Sequence, residues 1–374
     1  MALPNFQDPG LQDIYEKVAA GVRLDREDGL ALFQSADLLG VGALAQMVRE
    51  RLHGRKAFYI YNQHINYSNI CINGCKFCAF SRKAGEPGAY EMSLAEILGK
   101  VEERAHEPIT EIHIVGGCHP DLPFSFYLDM LRGIKKLRPE VHLQAFTAVE
   151  IAHLADRAGM SIPDTLEALK EAGLGSLPGG GAEVFSSRVR QQLCPEKLSP
   201  EGWIGVAQTA HRLGLNSNAT MLYGHMETLE ERVDHLVRLR EAQDETQGFL
   251  AFIPLAFHPQ NTGLSDLTGP SAIDDLKTLA VSRLMLDNIP HIKAFWVMLG
   301  PKMAQISLCF GVDDVDGTVM EERITHMAGA QTPQGMTRTQ LRALIREAGC
   351  EPVERDTLYS VVSSQPSRRP QAAL

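Results

Sequence analysis

The sequence predicts an α/β chain folded as a (β/α)8 TIM-type barrel, complete or nearly so, with helical extensions at both ends. Three observations carry that expectation. From residue 57 onward, short apolar runs alternate with amphipathic segments, the pattern left by parallel strands joined through crossover helices. The segments between the runs open on capping residues and close on glycines, so they read as helices. Seven such units follow in series, which suits a barrel better than an open doubly wound sheet, although alternation alone allows either.

Residues 1–56 are expected to form a helical extension, with helices over 11–53 packed before the first strand. Strands are expected at 57–62 (AFYIYN), 111–115 (EIHIV), 142–147 (HLQAFT), 174–178 (LGSLP), 216–223 (NSNATMLY), 249–256 (FLAFIPLA) and 292–298 (IKAFWVM). Between them, Ser93 with Glu96 and Thr228 with Glu231 spell capping boxes, and Ser199 before Pro200 reads as an N-cap and first helical residue. Gly173 and Gly214 fall where helices should end. The barrel is expected to span 57–330. A C-terminal helical segment, 331–362, follows, its helix opened by Thr337 and Gln340 and ending near Gly349. The last stretch, 363–374 (SSQPSRRPQAAL), is polar and proline-containing and is expected to be disordered.

Composition narrows the function. A chain of 374 residues with 44% hydrophobic residues can bury at least one large core. Its net charge of -10, with no dense basic block, argues against a nucleic-acid surface. No run reaches the 18 or so apolar residues of a membrane span, and the opening MALPNFQDPGLQDIYEK lacks the features of a secretory signal, so a cytoplasmic location is expected.

Of seven cysteines, three crowd into NICINGCKFCAFSR: Cys71, Cys75 and Cys78. In a reducing compartment such clustered thiols point to metal ligation rather than disulfides. They sit directly after the first strand, at the mouth where barrel chemistry is done. A closed zinc site needs a fourth ligand, and only a distant residue such as His64 or Cys118 could supply one. An iron-sulfur cube is usually held by four thiolates, so three leave one iron open to an outside ligand. Cys194, Cys309 and Cys350 stand singly, as packing cysteines do.

The CxxxCxxC spacing, with Phe77 just before the last cysteine, resembles the signature of the radical S-adenosylmethionine (SAM) superfamily. The resemblance implies a [4Fe-4S] cluster on Cys71, Cys75 and Cys78, with SAM chelating the open iron. It also implies SAM contacts elsewhere. Gly116 and Gly117 occupy the place of a GGE-like motif, but Cys118 stands where its Glu would be. Glu183, after three glycines in PGGGAE, is a candidate SAM contact, the bland alternative being a helix N-terminal Glu favoured by the dipole. TMLYGHME resembles the GxIxGxxE adenine motif, with Thr220 replacing the first glycine and Leu222 placed to pack on the base.

Over 50–330 the chain further resembles the aminofutalosine synthase family of the futalosine route to menaquinone. GGCHPDLPFSFYLDMLRGIK, HLQAFTAVEI, LPGGGAEVF, SNATMLYGHMET, AFIPLAFHPQNT and VSRLMLDNIPHIKAFWVMLGPKMAQ carry it. Cyclic dehypoxanthinyl futalosine synthase and the deazaflavin synthases share the GGGAE-like and NYxN stretches and are the competing relatives. The resemblance implies addition of a 5'-deoxyadenosyl radical to an aryl enolpyruvyl ether, 3-[(1-carboxyvinyl)oxy]benzoate, with aryl migration and loss of carbon dioxide. A non-catalytic iron-sulfur or zinc protein is the rival from another class.

The two carboxylates of such a substrate call for positive charge or several donors. His119, His225, His258 and Arg283 are the cationic candidates at predicted strand ends, with Asn218, Thr220 and Tyr223 as neutral donors. Asp313 and Asp314, near Gly317, read as a polar turn in preference to a late strand-end site. Phe252, Phe257 and Trp296 are candidate walls, though plain barrel core is the better reading for at least two of the three. A flavodoxin- or ferredoxin-type reductant is implied, with Lys76, Arg82 and Lys83 flanking the cysteine loop as its basic landing.

Overall fold

The computed structural model describes residues 6–362. Its first helices, Leu11–Ala20, Arg26–Gln34 and Leu38–His53, precede all strands. They lie close against later helices because small residues face the contacts: a Cβ on Gly29 would meet Met285 at 3.0 Å and Val233 at 3.1 Å.

The first strand runs on past its expected end and splits in two, β1 (Lys56–Ile60) and β2 (Asn62–Ile65). Then come β3 (Glu111–Ile114), β4 (His142–Ala145), β5 (Ser176–Leu177), β6 (Asn216–Tyr223), β7 (Phe249–Ala256) and β8 (His291–Ile292), joined to β2 as one parallel sheet in chain order. Two further strands, β9 (Asp314–Gly317) and β10 (Glu351–Arg355), flank β1 in a second parallel sheet.

The segment at and after β9 closes the ring. Ala294 N–H donates to the Asp314 carbonyl at 2.8 Å on one side, and His64 N–H donates to the Met320 carbonyl at 2.9 Å on the other. These are isolated backbone bonds rather than a continuous eighth ladder, so the barrel is nearly complete.

Helix boundaries follow local chemistry. Ser93, Thr228 and Thr337 each accept the backbone N–H three residues on, and Glu96, Glu231 and Gln340 bond back to the capping residue. Ser199 caps Pro200–Arg212, and Gly173 ends Ile162–Ala172 in the left-handed conformation. Each cap contributes about 1 kcal/mol.

Three expectations need correction. The run 292–298 is a strand only at its start, because Trp296–Leu299 turns helical and the indole Nε1–H reaches the Gly317 carbonyl at 2.8 Å. Short apolar runs buried on every side do not distinguish strand from helix. Asp313 and Asp314 form no surface turn. Asp314 opens β9, and both carboxylates are fully buried against cations brought from far along the chain. Asp314 accepts from Arg355 Nε at 2.7 Å; Asp313 accepts from Arg283, from His291 Nδ1 at 2.6 Å and from Ile292 N–H at 2.8 Å. Lastly, β10 lies in a stretch read as helical. The tail 363–374 lies outside the described residues.

The Arg355–Asp314 pair ties β10 to β9 with both members buried, so removing one partner strands a charge. Arg355→Leu should lower the unfolding free energy by about 3–5 kcal/mol, and the double change with Asp314→Leu should recover much of the loss, as read by chemical denaturation.

Candidate active site

Side chains in a strand alternate between faces, and in this barrel one face of every strand looks inward. His64 of β2, Glu111 and His113 of β3, Gln144 of β4, Asn218, Thr220 and Leu222 of β6, Ile253 and Leu255 of β7, and Asp316 of β9 line one cavity of about 330 Å³. Loops at the strand ends complete it. They bring Cys71, Cys75, Phe77 and Cys78 after β2, Gly116, Gly117 and Cys118 after β3, Glu183 after β5, and Phe257 and His258 after β7.

The cysteine loop is anchored to the end of β3. Ile72 N–H donates to the Cys118 carbonyl at 3.0 Å, and Gly117 N–H to the Ser68 carbonyl at 2.9 Å. No side chain could stand at these glycines: a Cβ on Gly117 would lie 2.2 Å from the Ile70 carbonyl oxygen, and one on Gly116 2.6 Å from the Tyr67 ring. The protein's own loop therefore demands both glycines.

Two of the three thiols are shifted toward the thiolate, the form that binds metal. A hydrogen bond from Cys118 pulls the Cys71 thiol down to about 5 against the effect of burial. A bond from Cys194 lowers Cys75 likewise, whereas burial pushes Cys78 up to about 11. Cys118 and Cys194, expected only to fill space, thus act on the loop.

The spacing of the sulfurs suits a multi-iron cluster better than one ion. Among the described residues the one trio of potential ligand atoms within 4.8 Å of one another is His53, His291 and Asp313, not the cysteines. A tetrahedral zinc would draw its thiolates closer than that. The histidine trio is itself a hydrogen-bonded network, since His53 Nε2 engages the Pro290 carbonyl at 2.8 Å and Asp313 is held by Arg283 and His291.

Beside the loop, Glu183 forms a buried ion pair with Lys197, Nζ to Oε1 2.5 Å, and Lys197 lies 5.4 Å from the Phe77 ring centroid. Burial opposes the Lys197 charge, but Glu183 and Cys75 outweigh it and hold the ammonium pKa above its ordinary value. Glu183 stands outside the first turn of the next helix, Ser187–Leu193, which Ser186 caps, so the helix dipole does not explain it. Its φ of 52° is unusual for a non-glycine residue, and its carbonyl accepts Leu222 N–H at 3.0 Å.

A second carboxylate, not singled out from the sequence, reaches the same wall. Glu150 accepts Gly116 N–H at 3.0 Å and the Tyr67 hydroxyl at 2.9 Å, and burial raises its carboxyl to about 7. The TAVE capping box at Thr147 announced the helix but not this reach. Lys293, also missed, lines the cavity from the residue after β8. A lysine inside the apolar run HIKAFWVM was the available signal.

Several candidates lie elsewhere. Tyr223 follows an inward residue and so points out, where its hydroxyl donates to Asp275 at 2.6 Å. His225 is wholly buried between Glu227 and the Leu222 carbonyl. His119 Nδ1 accepts Asp121 N–H at 3.0 Å, and its Nε2 lies 2.8 Å from Glu91. Arg283 belongs to the Asp313 network. Phe252 and Trp296 face away from the cavity and are core. His258 does line it, with Nε2 2.9 Å from the Met298 carbonyl.

Known proteins match this arrangement. Residues 65–239 match the radical SAM superfamily model, and residues 246–367 match that of the CofH/MqnC C-terminal region. The chain is 51% identical to aminodeoxyfutalosine synthase of Thermus thermophilus, over 96% of this chain and 97% of that one. It belongs to the radical SAM family of the aminodeoxyfutalosine synthases. The Streptomyces coelicolor member is 45% identical, over 97% and 98%. Cyclic dehypoxanthine futalosine synthase of Halalkalibacterium halodurans is 37% identical, over 94% and 95%. Among solved structures, methylornithine synthase (PylB) superposes with a TM-score of 0.72 at 19% identity, covering 91% of this chain and 97% of that one, a likeness of fold. The chain is thus a radical SAM enzyme of the menaquinone-pathway type, and the family works with a [4Fe-4S] cluster and SAM acting on a small molecule. No described helix is long and apolar enough to cross a membrane.

Gly117→Ala should disrupt the loop that presents Cys71, and Gly99→Ala, whose Cβ meets nothing within 4 Å, should not. After anaerobic reconstitution the first variant is expected to hold well under half the iron and sulfide per chain of the second.

Proposed function

We propose that this enzyme joins the adenosyl group of SAM to 3-[(1-carboxyvinyl)oxy]benzoate to give aminofutalosine. The observation that carries the proposal is the loop of three thiols opening onto a cavity with apolar walls, in a chain half identical to a named aminodeoxyfutalosine synthase. In this reading Cys71, Cys75 and Cys78 hold the cluster and leave one iron for the SAM amino and carboxylate groups. With both bound, the site would supply a 5'-deoxyadenosyl radical for addition to the vinyl carbon. Aryl migration from oxygen to carbon and loss of carbon dioxide would give the ketone once the electron spent on cleaving SAM is handed back to the cluster, so the overall reaction would be redox-neutral.

The chain's own residues hold and shield the reactants. Gly116 and Gly117 keep the wall next to the loop thin, Glu183 offers a carboxylate to the nucleoside, and Leu222 packs against the base. Glu150 supplies the nearby acidic group that the GGE-like motif lacks at Cys118. Ile253, Leu255 and Phe257 exclude water from a site where a carbon radical would otherwise be quenched.

Product analysis tests the reading against the cyclising relative. With SAM labelled in the ribose carbons, the enolpyruvyl ether and a reductant under anaerobic conditions, mass spectrometry should find the label in aminofutalosine. Release of free 5'-deoxyadenosine in proportion to turnover would sink it.

A flavodoxin-type protein is proposed to deliver the electron over the basic rim of the loop. Arg82 and Lys83 are partly spent on that loop, Arg82 on the Ala79 carbonyl at 2.8 Å and Lys83 Nζ on the Ile72 carbonyl at 2.7 Å. Lys76 is exposed and makes no side-chain bond among the described residues. Lys76→Glu should therefore slow cluster reduction by flavodoxin several-fold and leave reduction by dithionite unaltered; equal slowing would count against docking there.

A further inference from the structure

The cavity holds a polar layer inside the barrel that the reaction at the cysteine loop leaves unexplained. His64 on β2 pairs with His113 on β3, which pairs with Gln144 on β4, so the three stand side by side. Asn218, Lys293 and Asp316 continue the layer from β6, β8 and β9. Some of these groups satisfy one another. His113 Nδ1 lies 3.1 Å from Gln144 Oε1, and Glu111 accepts from Asn62 Nδ2 at 3.0 Å.

Three of them do not. Lys293, only 6% exposed, is ion-paired with Asp316 at 3.7 Å yet donates no hydrogen bond among the described residues, so its N–H donors remain free on the cavity side. Asn218, 4% exposed, leaves both ends of its amide unpaired among the described residues, and the His64 ring stacks on His113 at 4.5 Å without a hydrogen bond. Asp316 balances the ammonium's charge, but N–H donors left without an acceptor at a cavity wall still favour a ligand that supplies one. Ile253, Leu255 and Phe295 add apolar side chains to the lining of the same cavity. With Asp316 and Glu111 engaged by Lys293 and Asn62, the free ammonium donors, the neutral polar groups and the apolar side chains are complementary to an aromatic carboxylate.

We infer that Lys293, assisted by Asn218 and His64, is a positioning socket for the ring carboxylate of an aromatic substrate, holding the far end of that substrate toward the cysteine loop. The inference rests on the aryl enolpyruvyl ether proposed above. The ring carboxylate is its rigid end, so fixing it fixes the direction in which the vinyl group points.

Two measurements decide it, on holoenzyme matched for cluster content and for the SAM-induced change in the cluster signal. In calorimetric titration with 3-methoxybenzoate, Lys293→Met should bind at least about tenfold more weakly than the parent, as loss of a charge-assisted bond predicts. Lys293→Arg should recover part of the affinity. Asn218→Ala, which removes no charge, should lose less and serves if Lys293→Met does not fold. Equal binding by parent and Lys293→Met, or none by either, overturns the socket. In turnover, Lys293→Met should raise KM about 10- to 100-fold for the enolpyruvyl ether and little for 2-phenoxyacrylate, which lacks the ring carboxylate. A parallel rise for both also overturns it. A parent enzyme that binds 3-methoxybenzoate through Lys293 yet leaves the ether unconverted removes the functional reading and keeps the socket.

Discussion

A parallel strand cannot choose its side chains' directions one at a time. Once Thr220 of β6 faces the barrel axis, Asn218 and Leu222 must face it too, and Met221 and Tyr223 must face the helices. Backbone pairing then carries the choice sideways. Registry of His64 with His113, and of His113 with Gln144, sets three polar residues at one level although they lie far apart in the chain. The cavity depends on this, because a one-residue slip in β3 or β4 would exchange Glu111, His113 or Gln144 for Ile112, Ile114 or Leu143 of the core.

The cysteine loop adds a second constraint at the mouth. Its backbone crosses the end of β3 so closely that a single carbon at Gly117 would collide with it. That crossing puts Cys118 beside Cys71, and Cys194 is brought beside Cys75 by the helix that follows Glu183. Two neutral thiols thereby favour ionisation of two others before any metal is bound. Fold, loop and ligand chemistry are linked through one tight backbone contact.

Features with local causes could be read from the sequence. Capping boxes at Ser93, Thr228 and Thr337 need only residues three apart, and the cysteine spacing lies within eight residues, so both appear as strings. Strand β9 did not. DDVDG looks like a turn until Arg283, Arg355 and Lys293 arrive to neutralise it, and nothing nearby in the chain reveals that they will. β10, with Pro352 and two glutamates, looks equally unlike a strand. The site divides the same way. Cys71, Cys75, Cys78, Gly116, Gly117, Glu183 and Leu222 sit in recognisable strings, whereas Lys197, Lys293 and Glu150 gain meaning only from partners on other strands. His258 lines the cavity, whereas Tyr223 is turned outward by strand alternation and His119 and His225 sit in loops that spend their rings on neighbouring groups, which residue type alone does not reveal.

The pairing of β1 with β9 and β10 also bears on how the molecule is made. β1 and the cysteine loop leave the ribosome early, but their partners at 314–317 and 351–355 are translated some 250 to 300 residues later. Until 314–320 is made, the sheet from β2 to β8 lacks the segment that bridges its two edges beside the cysteine loop. Pairings of such long sequence separation form slowly. Maturation machinery would therefore meet the loop most easily before the last strand docks, and a chain cut short ahead of β9 would keep its ligands while losing the wall that encloses them.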